Sequence, residues 1–241
     1  MSGNSTHRYR CIAFDAVGTL ITPVPSAGEI YYQTARRFGS NLTDAEVARR
    51  FKQAFRNTEL ADAAAAAEVR LITSEDRERQ RWRQIVSEVL DDISDTAACF
   101  DQLFTHFAKP GSWKCFDDVA ELLDRLESSG YVLAIASNFD RRLHDVCHGF
   151  PVLRKIGVRV ISSEVGFRKP GRKFFDALVA QAGCPASEVL MVGDDAANDF
   201  AGARQAGLGA VLINRHRQSQ SNARNPDEIG SLSELVDRLL K

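Results

Sequence analysis

The chain has almost no net charge, because 31 lysine and arginine residues stand against 32 aspartate and glutamate residues and leave −1. So small a charge provides no long-range field that would gather a polyanion or an anionic surface. We therefore expect no nucleic-acid partner. The one basic segment, residues 214–226, is interpreted as a solvated loop before the last helix.

Long apolar runs are also missing. None reaches the roughly 18 residues that a membrane helix needs, and the N-terminal segment MSGNSTHRYR lacks the apolar core of a secretory signal. The five cysteines are odd in number, far apart and never spaced as C-x-x-C, which disfavours a disulfide framework and suits reduced thiols. We expect no membrane partner and a cytoplasmic location.

What the chain does contain is a series of short apolar runs, each bounded by turn signals. Such runs are typical of strands covered on both faces of a parallel sheet, and helical patterns alternate with them. We predict an α/β fold with a doubly wound, mostly parallel, Rossmann-like sheet. The expected strands are 11–15, 131–137, 158–162, 189–193 and 209–213. The expected helices of this part are 117–129, 172–182 and 199–206.

Residues 24–110 break this rhythm, because they contain no convincing strand and four helix starts. Ser26 and Thr43 each precede a glutamate by three positions, which is the capping-box spacing, and Ser74 and Ser94 begin two further helices. We predict a helical cap domain inserted after the first strand of a Rossmann-like catalytic core. The expected boundaries are 24–110 for the cap and 1–23 with 111–241 for the core.

Polar side chains follow the apolar runs where the predicted strands end. They are Asp15, Ser137, Asn138, Lys169, Asp194, Asp195 and Asp199. Because ligands bind at the carboxyl ends of the strands in an open parallel sheet, we expect these groups to converge. Several acids at one sheet edge repel one another unless a cation lies among them, and oxygen ligands favour Mg²⁺.

The same residue types suit chemistry at phosphorus. Lys169 would hold an anionic oxygen and offset the charge on Asp15, while Ser137 and the amide of Asn138 can donate hydrogen bonds to the same anion. An aspartate opposite Mg²⁺ and a lysine can attack phosphorus and form an aspartyl-phosphate, which water then hydrolyses. Gly18 lets the backbone turn sharply around the bound group.

Four segments resemble, in order, the four motifs of the haloacid dehalogenase-like hydrolase superfamily. FDAVGTL is similar to the first motif, IASN to the second, RKP to the third and VGDDAAND to the fourth, across residues 11–207. The helical insert matches the position of that family's cap domain. The segment SNFDRRL, residues 137–143, further resembles one subgroup of the family.

This resemblance implies a role for each matching residue. Asp15 would be the nucleophile and a Mg²⁺ ligand, the Val17 carbonyl and Asp194 would complete the ligand set, and Lys169 would assist catalysis. The implied outer-shell residues are Asp195 and Asp199. The implied phosphate-binding residues are Gly18, Thr19, Ser137, Asn138 and Lys169.

Val17 departs from the family pattern, because phosphatases of this family usually carry a second aspartate there, which protonates the leaving oxygen and later activates water. A valine does neither, although its carbonyl can still bind Mg²⁺. The missing acid-base assistance is typically worth about 10²- to 10⁴-fold. Three interpretations stay open: an acyl or aryl phosphate whose leaving group needs no proton, a proton donor from the substrate or cap, or a weak enzyme that chiefly binds ligands.

Other chemistries rank lower. The carbon-halogen branch of the family also lacks an acid at this position, but it needs no metal and lacks the acidic fourth motif, so Mg²⁺-dependent hydrolysis of a small phosphorylated molecule ranks first. Phosphonate cleavage would need a cap lysine, and nothing marks Lys52 as reactive. His144 and His148 have the spacing of a zinc-binding pair, but no third ligand is apparent. Monomer and homodimer both stay open.

The insert is expected to select the substrate, because a lid over the leaving-group side excludes water during reaction. Tyr31, Arg36 and Arg37 lie on its first helix and either reach the cleft or cover its outer face. Five aromatic residues at helical spacing are expected to pack the core of the insert: Phe51, Phe55, Trp82, Phe104 and Phe107.

Overall fold

The computed structural model describes residues 8–66, 69–216 and 225–240. The strands are β1 Cys11–Phe14, β2 Ile21–Pro23, β3 Trp113–Cys115, β4 Val132–Ser137, β5 Val158–Ile161, β6 Val189–Gly193, β7 Gly209–Ile213 and β8 Glu228–Ile229. The α-helices are α1 Ala27–Arg37, α2 Asp44–Ala64, α3 Glu75–Val89, α4 Thr96–His106, α5 Val119–Ser128, α6 Arg142–His148, α7 Pro151–Arg154, α8 Ser162–Val165, α9 Arg172–Ala182, α10 Gly202–Gln205 and α11 Leu232–Leu239. A π-helical turn covers Ala196–Ala201, and two 3-10 turns cover Pro110–Ser112 and Ala186–Glu188.

Six strands form one parallel sheet in the order β5-β4-β1-β6-β7-β8. This confirms the predicted α/β fold and five of its strands; β8, only two residues long, was not predicted. The strand order reverses at β1, where Phe14 pairs with Ile135 of β4 and with Val192 of β6. The residues after β1 therefore come level with the ends of β4 and β6, which places Asp15 at the switch point of the sheet.

Helices cover both faces of the sheet, which explains why its strands are apolar without alternation. Ile12 and Phe14 pack on one face in a cluster that includes residues of α5 and α11. Cys11 and Ala13 point to the opposite face, against a second cluster that includes Phe174 of α9. Burial of a side chain as large as Ile12, Phe14 or Phe174 contributes on the order of 2 kcal/mol to folding, so both layers stabilise the sheet.

The four helices α1 to α4 lie between β2 and β3, which pair as an antiparallel ribbon. They have an apolar cluster of their own. The predicted helix starts are largely confirmed: Ser26 caps α1, Thr43 forms a full capping box on α2, and Ser74 caps α3. The fourth helix begins after Asp95 rather than Ser94, because the Asp95 carboxylate accepts the hydrogen bond from Ala98 N.

The insert also touches the sheet domain at a point that the sequence does not predict. Thr73 N donates to the Gly166 carbonyl at 3.0 Å, and Arg168 N donates to the Leu71 carbonyl at 2.8 Å. The Arg168 guanidinium pairs with the buried carboxylate of Glu78 on α3. Arg168 immediately precedes Lys169, so these contacts tie the insert to the segment that delivers the lysine.

Two expectations need correction or limits. The predicted helix 199–206 is instead a π-helical turn followed by α10, and it begins at Ala196, three residues earlier than expected, because the Asp195 carboxylate caps it. Of the basic segment 214–226, residues 217–224 lie outside the described residues. Among the helices of the described ranges, none is long and apolar enough to span a bilayer.

Candidate functional site

Three carboxylates meet at the carboxyl edge of the sheet. Asp15 follows β1, Asp194 follows β6, and Asp199 lies in the π-helical turn beyond it. One oxygen from each lies within 4.8 Å of the others. The sequence-predicted acids are thus brought together, with the exception of Asp195, which is not a member of this cluster.

Lys169 is the cation within this acidic cluster. Its buried ammonium nitrogen donates to Asp15 Oδ1 at 2.7 Å, to Asp199 Oδ1 at 2.6 Å and to the Ala136 carbonyl at 2.8 Å. Burial alone would lower the pKa of Lys169, but the two carboxylates outweigh it and raise that pKa above its ordinary value. The lysine therefore stays charged and holds Asp15 in one orientation.

Negative charge remains in excess around this lysine. As a whole residue Asp194 is exposed to solvent, but protein surrounds its carboxylate closely enough to desolvate it. This desolvation, together with repulsion from Asp15 and Asp199, raises the pKa of Asp194 to about 7. Burial also raises the pKa of Asp199 in spite of its lysine partner. A divalent cation would relieve this repulsion, and carboxylate oxygens are the donors that Mg²⁺ prefers. The donor set therefore fits Mg²⁺.

Glycine makes the close approach of these acids possible. Gly18 has φ +87°, and a Cβ placed there would lie 2.3 Å from Asp194 Oδ2. A Cβ at Gly193 would lie 2.1 Å from Asp199 Oδ2. Thr19 is buried and donates through its hydroxyl to Asp194 Oδ1 at 3.4 Å. Gly18 and Thr19 thus contact Asp194, and the phosphate contacts that the resemblance implies for both stay a prediction.

The loop after β1 contains Val17, whose carbonyl is the proposed metal ligand. Leu20 N and Ile21 N both donate to the Ala16 carbonyl at 2.9 Å, and Gly18 N donates to the Ile21 carbonyl at 2.8 Å. These turn hydrogen bonds use the carbonyl of Ala16 and not that of Val17. The Val17 carbonyl is therefore compatible with a role as a metal ligand.

Ser137 and Asn138, at the end of β4, act on different partners. The Ser137 hydroxyl donates to Asp15 Oδ1 at 3.0 Å. The Asn138 side chain donates to the Lys169 carbonyl at 3.0 Å and accepts from Lys169 N at 2.8 Å. That side-chain amide thus positions Lys169. Its Nδ2 group has a second N–H, and donation to an anion from the amide of Asn138 stays a prediction.

Asp195 shapes the turn that carries Asp199. Its Oδ1 accepts from Ala197 N and Asn198 N, both at 2.8 Å. Its own N–H donates to Asp199 Oδ2 at 3.1 Å. The Asp195 side chain is thus a helix cap, while its backbone orients Asp199 towards Lys169.

A cavity of about 290 Å³ lies between the insert and this site. Val17 and Asn138 line it on the sheet side, and aromatic side chains form most of the rest. All five aromatic residues predicted to pack the insert core line this cavity while also packing against the insert cluster. Helical spacing identified the apolar face of these helices, but it could not distinguish a core from a cavity wall.

Tyr31 also lines the cavity, whereas Arg36 and Arg37 are exposed. Arg36 donates to the Ser40 carbonyl at 2.7 Å, and Arg37 donates to the Thr34 hydroxyl at 3.1 Å. Both arginines therefore serve α1 itself, and of the three candidates only Tyr31 faces the cavity.

Arg142 is a cavity residue that sequence reasoning missed. It is buried and donates to both carboxylate oxygens of Asp140, at 2.7 and 2.6 Å, and to the Phe104 carbonyl at 3.0 Å. Its guanidinium lies 3.5 Å from the centroid of the Phe104 ring. Asp140 and Arg142, which lie close together in the segment SNFDRRL, were the signal available in the sequence, but a charged pair in a loop is usually solvated.

The zinc and lysine alternatives receive no support. His144 Nε2 lies 3.1 Å from a carboxylate oxygen of Glu164, and the acidic cluster is the only potential metal group found among the described residues. Lys52 is exposed on α2 and is not among the residues that line the cavity.

Comparison with known proteins identifies sequence relatives across most of the chain. A family model described as haloacid dehalogenase-like hydrolase matches residues 9–207. Haloacid dehalogenase-like hydrolase domain-containing protein 3 of Danio rerio is 27% identical over 242 residues, which cover 95% of this chain and 96% of that protein. The subgroup resemblance of segment 137–143 points to the same relatives.

Solved structures share the fold. A HAD phosphatase from Thermococcus onnurineus superposes with a TM-score of 0.65 at 23% identity and covers 95% of this chain and 97% of its own. A 2-haloacid dehalogenase from Pseudomonas syringae pv. Tomato DC3000 superposes with a TM-score of 0.64 at 21% identity and covers 96% and 98%. At these identities the structures establish the fold alone, which both chemistries use.

Proposed function

The chain belongs to the haloacid dehalogenase-like hydrolases, and we propose that within this family it is a Mg²⁺-dependent phosphohydrolase acting on a small phosphorylated molecule through Asp15. The observation that carries this proposal is the cluster of Asp15, Asp194 and Asp199, from each of which one oxygen lies within 4.8 Å of the others, with the ammonium of Lys169 bonded to Asp15 and Asp199. Metal-independent chemistry at carbon has no use for three converging acids, and Lys169 alone would offset their mutual repulsion only in part.

In this proposal Asp15 and Asp194 bind Mg²⁺ through carboxylate oxygens and Val17 binds it through its carbonyl. When bound, the metal would offset negative charge on the phosphoryl oxygens and on the acids. Asp199 acts one step further out, because it is held by Lys169 and by the N–H of Asp195.

The chain itself orients the nucleophile. Lys169 and Ser137 both donate to Oδ1 of Asp15, so neither of them engages Oδ2. Oδ2 is therefore the oxygen that attacks phosphorus and forms the aspartyl-phosphate, which water then hydrolyses. Lys169 and Ser137 hold the carboxylate at a fixed angle during both steps.

Val17 limits the chemistry to leaving groups that depart without a proton. Its side chain lines the apolar cavity on the side of the proposed leaving group. A valine at this point cannot donate a proton to a departing oxygen, so alkoxides should leave slowly.

The direct test is phosphate release from acetyl phosphate and para-nitrophenyl phosphate, measured with Mg²⁺ and with a chelator. Asp15→Asn should abolish release, and chelation should do the same. Asp117→Asn makes the same change at an exposed aspartate that is not a member of the acidic cluster, and it serves as the control. Release that continues both in Asp15→Asn and without metal would contradict the assignment of the nucleophile.

Carbon-halogen hydrolysis is the second candidate, favoured by the apolar Val17 and the apolar cavity beside it. In that case Asp15 would displace halide from a small haloacid without Mg²⁺. Halide release from 2-chloropropionate in the presence of a chelator tests it. A protein that releases neither phosphate nor halide, yet binds phosphate esters, would instead be a ligand-binding member of the family.

A further inference from the structure

The cavity beside Val17 is apolar in a way that restricts what the proposed phosphohydrolase can accept. Its walls combine side chains from the insert, among them Tyr31, Phe51 and Phe55, with Trp113 and Phe139 from the sheet side. The rings contact one another, with the centroids of Tyr31 and Phe51 4.8 Å apart at 66°. Such edge-to-face walls favour a flat, apolar occupant.

The size of the cavity sets an upper limit on that occupant. An apolar cavity of about 150 Å³ is known to hold benzene. The cavity here, about 290 Å³, therefore has room for one ring with substituents or for two fused rings. A phosphate at Asp15 would place such a ring next to Val17 and Asn138, the two cavity residues that belong to the site.

The charge balance of the cavity disfavours a second anionic group on the substrate. Arg142 is the one charged residue among the described residues that line it. Its charge is already paired with the buried Asp140 carboxylate through Nε and Nη2, at 2.7 and 2.6 Å, and Nη1 donates to the Phe104 carbonyl at 3.0 Å. A sugar bisphosphate or a nucleoside diphosphate would thus place an unpaired charge against aromatic rings, which is costly.

A second observation, independent of cavity shape, concerns the leaving group. Val17 supplies no proton, so the departing oxygen must be stable as an anion. A phenol has a pKa of about 10, whereas the pKa values of water and simple alcohols are about 16, so a phenolate leaves far more readily than an alkoxide. Val17 therefore has two effects: it lines the cavity, and it cannot protonate the departing oxygen.

We propose that the substrate class is a phosphate monoester of a phenol, or of a comparably acidic flat hydroxy compound, whose ring occupies this cavity; this inference rests on the proposed phosphohydrolase function. Asp15 Oδ2 forms a bond to phosphorus while the bond from phosphorus to the phenolic oxygen breaks, and the electron pair leaves on the phenolate. Water then cleaves the aspartyl-phosphate, and its proton balances the phenolate. The products are a phenol and inorganic phosphate.

Four substrates separate ring binding from leaving-group acidity. Phenyl phosphate has both the ring and a stable leaving anion, benzyl phosphate has the ring alone, acetyl phosphate has the stable anion alone, and ethyl phosphate has neither. We expect phenyl and benzyl phosphate to share a low KM or inhibition constant, and phenyl and acetyl phosphate to share a high kcat. Ethyl phosphate hydrolysed as efficiently as phenyl phosphate would overturn the inference.

Variants locate the ring. Trp82→Ala removes a cavity wall and should raise the KM for phenyl phosphate about tenfold, while acetyl phosphate, too small to fill the cavity, changes less than about twofold. Phe38→Ala is the matched control, because Phe38 packs against the same insert cluster without lining the cavity. Equal effects of the two variants on phenyl phosphate would contradict the assignment.

Binding without turnover keeps this inference separate from the proposed function. Both tryptophans of the chain, Trp82 and Trp113, line the cavity, so tryptophan fluorescence of the wild-type protein reports its occupancy. Phenylphosphonate should shift the fluorescence and bind at least about tenfold more tightly than methylphosphonate. Equal binding would overturn the ring site even if phosphatase activity is present. Tight phenylphosphonate binding with no phosphate release from any ester would refute the hydrolysis and leave the ring site standing.

Discussion

The ammonium nitrogen of Lys169 lies 2.6 Å from Oδ1 of Asp199, and both side chains are almost completely buried. The same nitrogen lies 2.7 Å from Oδ1 of Asp15, 154 positions away in the chain. One cation therefore compensates two buried anions that come from different strand ends. Removing a partner from such an arrangement is more costly than its net contribution, because a buried charge is left without compensation.

Replacement of Lys169 should reveal the cost of leaving Asp15 and Asp199 without a counter-ion. In the presence of a chelator, Lys169→Gln is expected to lower the free energy of unfolding by about 3–5 kcal/mol, as measured by urea denaturation. Arg172→Gln is the control, since Arg172 forms an exposed pair with Asp176 at 3.5 Å. Exposed pairs contribute roughly 0–1 kcal/mol. Similar losses in the two variants would contradict the role of Lys169 as the buried counter-ion.

Asp195 and Asp199 should separate stability from metal binding. Asp199→Asn removes a member of the acidic cluster and should weaken Mg²⁺ binding about 10- to 100-fold by calorimetric titration. Asp195→Ala removes a helix cap and should cost about 1 kcal/mol of stability with a smaller change in Mg²⁺ affinity. If Asp195→Ala weakened Mg²⁺ binding more than Asp199→Asn, the assignment of the two residues would be reversed.

Gly193→Ala tests the packing of Asp199 against β6. The added Cβ would lie 2.1 Å from Asp199 Oδ2, so the carboxylate must move away from Lys169. We expect a loss of about 1–3 kcal/mol in stability and reduced phosphate release. Gly157→Ala is the control, because a Cβ there meets no atom within 4 Å. A Gly193→Ala protein with wild-type activity would show that the position of Asp199 is not critical.

Val17→Asp should restore the missing acid. For ethyl and benzyl phosphate, which lose an alkoxide, we expect kcat to rise by up to about 10²-fold, while acetyl phosphate should gain little. Val17→Asn is the control for polarity and size, because asparagine has nearly the same shape as aspartate but transfers no proton. If the asparagine variant accelerates alkyl esters as much as the aspartate variant, proton donation is not what limits the wild-type protein.

The sequence predicted local features well, because they depend on neighbouring residues. Thr43 and Glu46 form the expected capping box, and Asp15 follows β1 as its apolar run indicates. The sequence did not predict that the Asn138 side chain would engage the Lys169 backbone, since that contact depends on how β4 and the segment after α8 approach each other. It also did not reveal that Trp82 faces a cavity, because helical periodicity identifies an apolar face and not what that face meets.

By itself the sequence determined which chemical groups stand at the strand ends and in what order, since hydrophobic patterns, caps and turn residues act over a few positions. Tertiary structure decided which atoms meet: that Lys169 compensates both Asp15 and Asp199, and that the aromatic faces of the insert enclose a space beside Val17. Those distances join residues far apart in the chain. They depend on sheet register and on the packing of the insert, which no local pattern encodes.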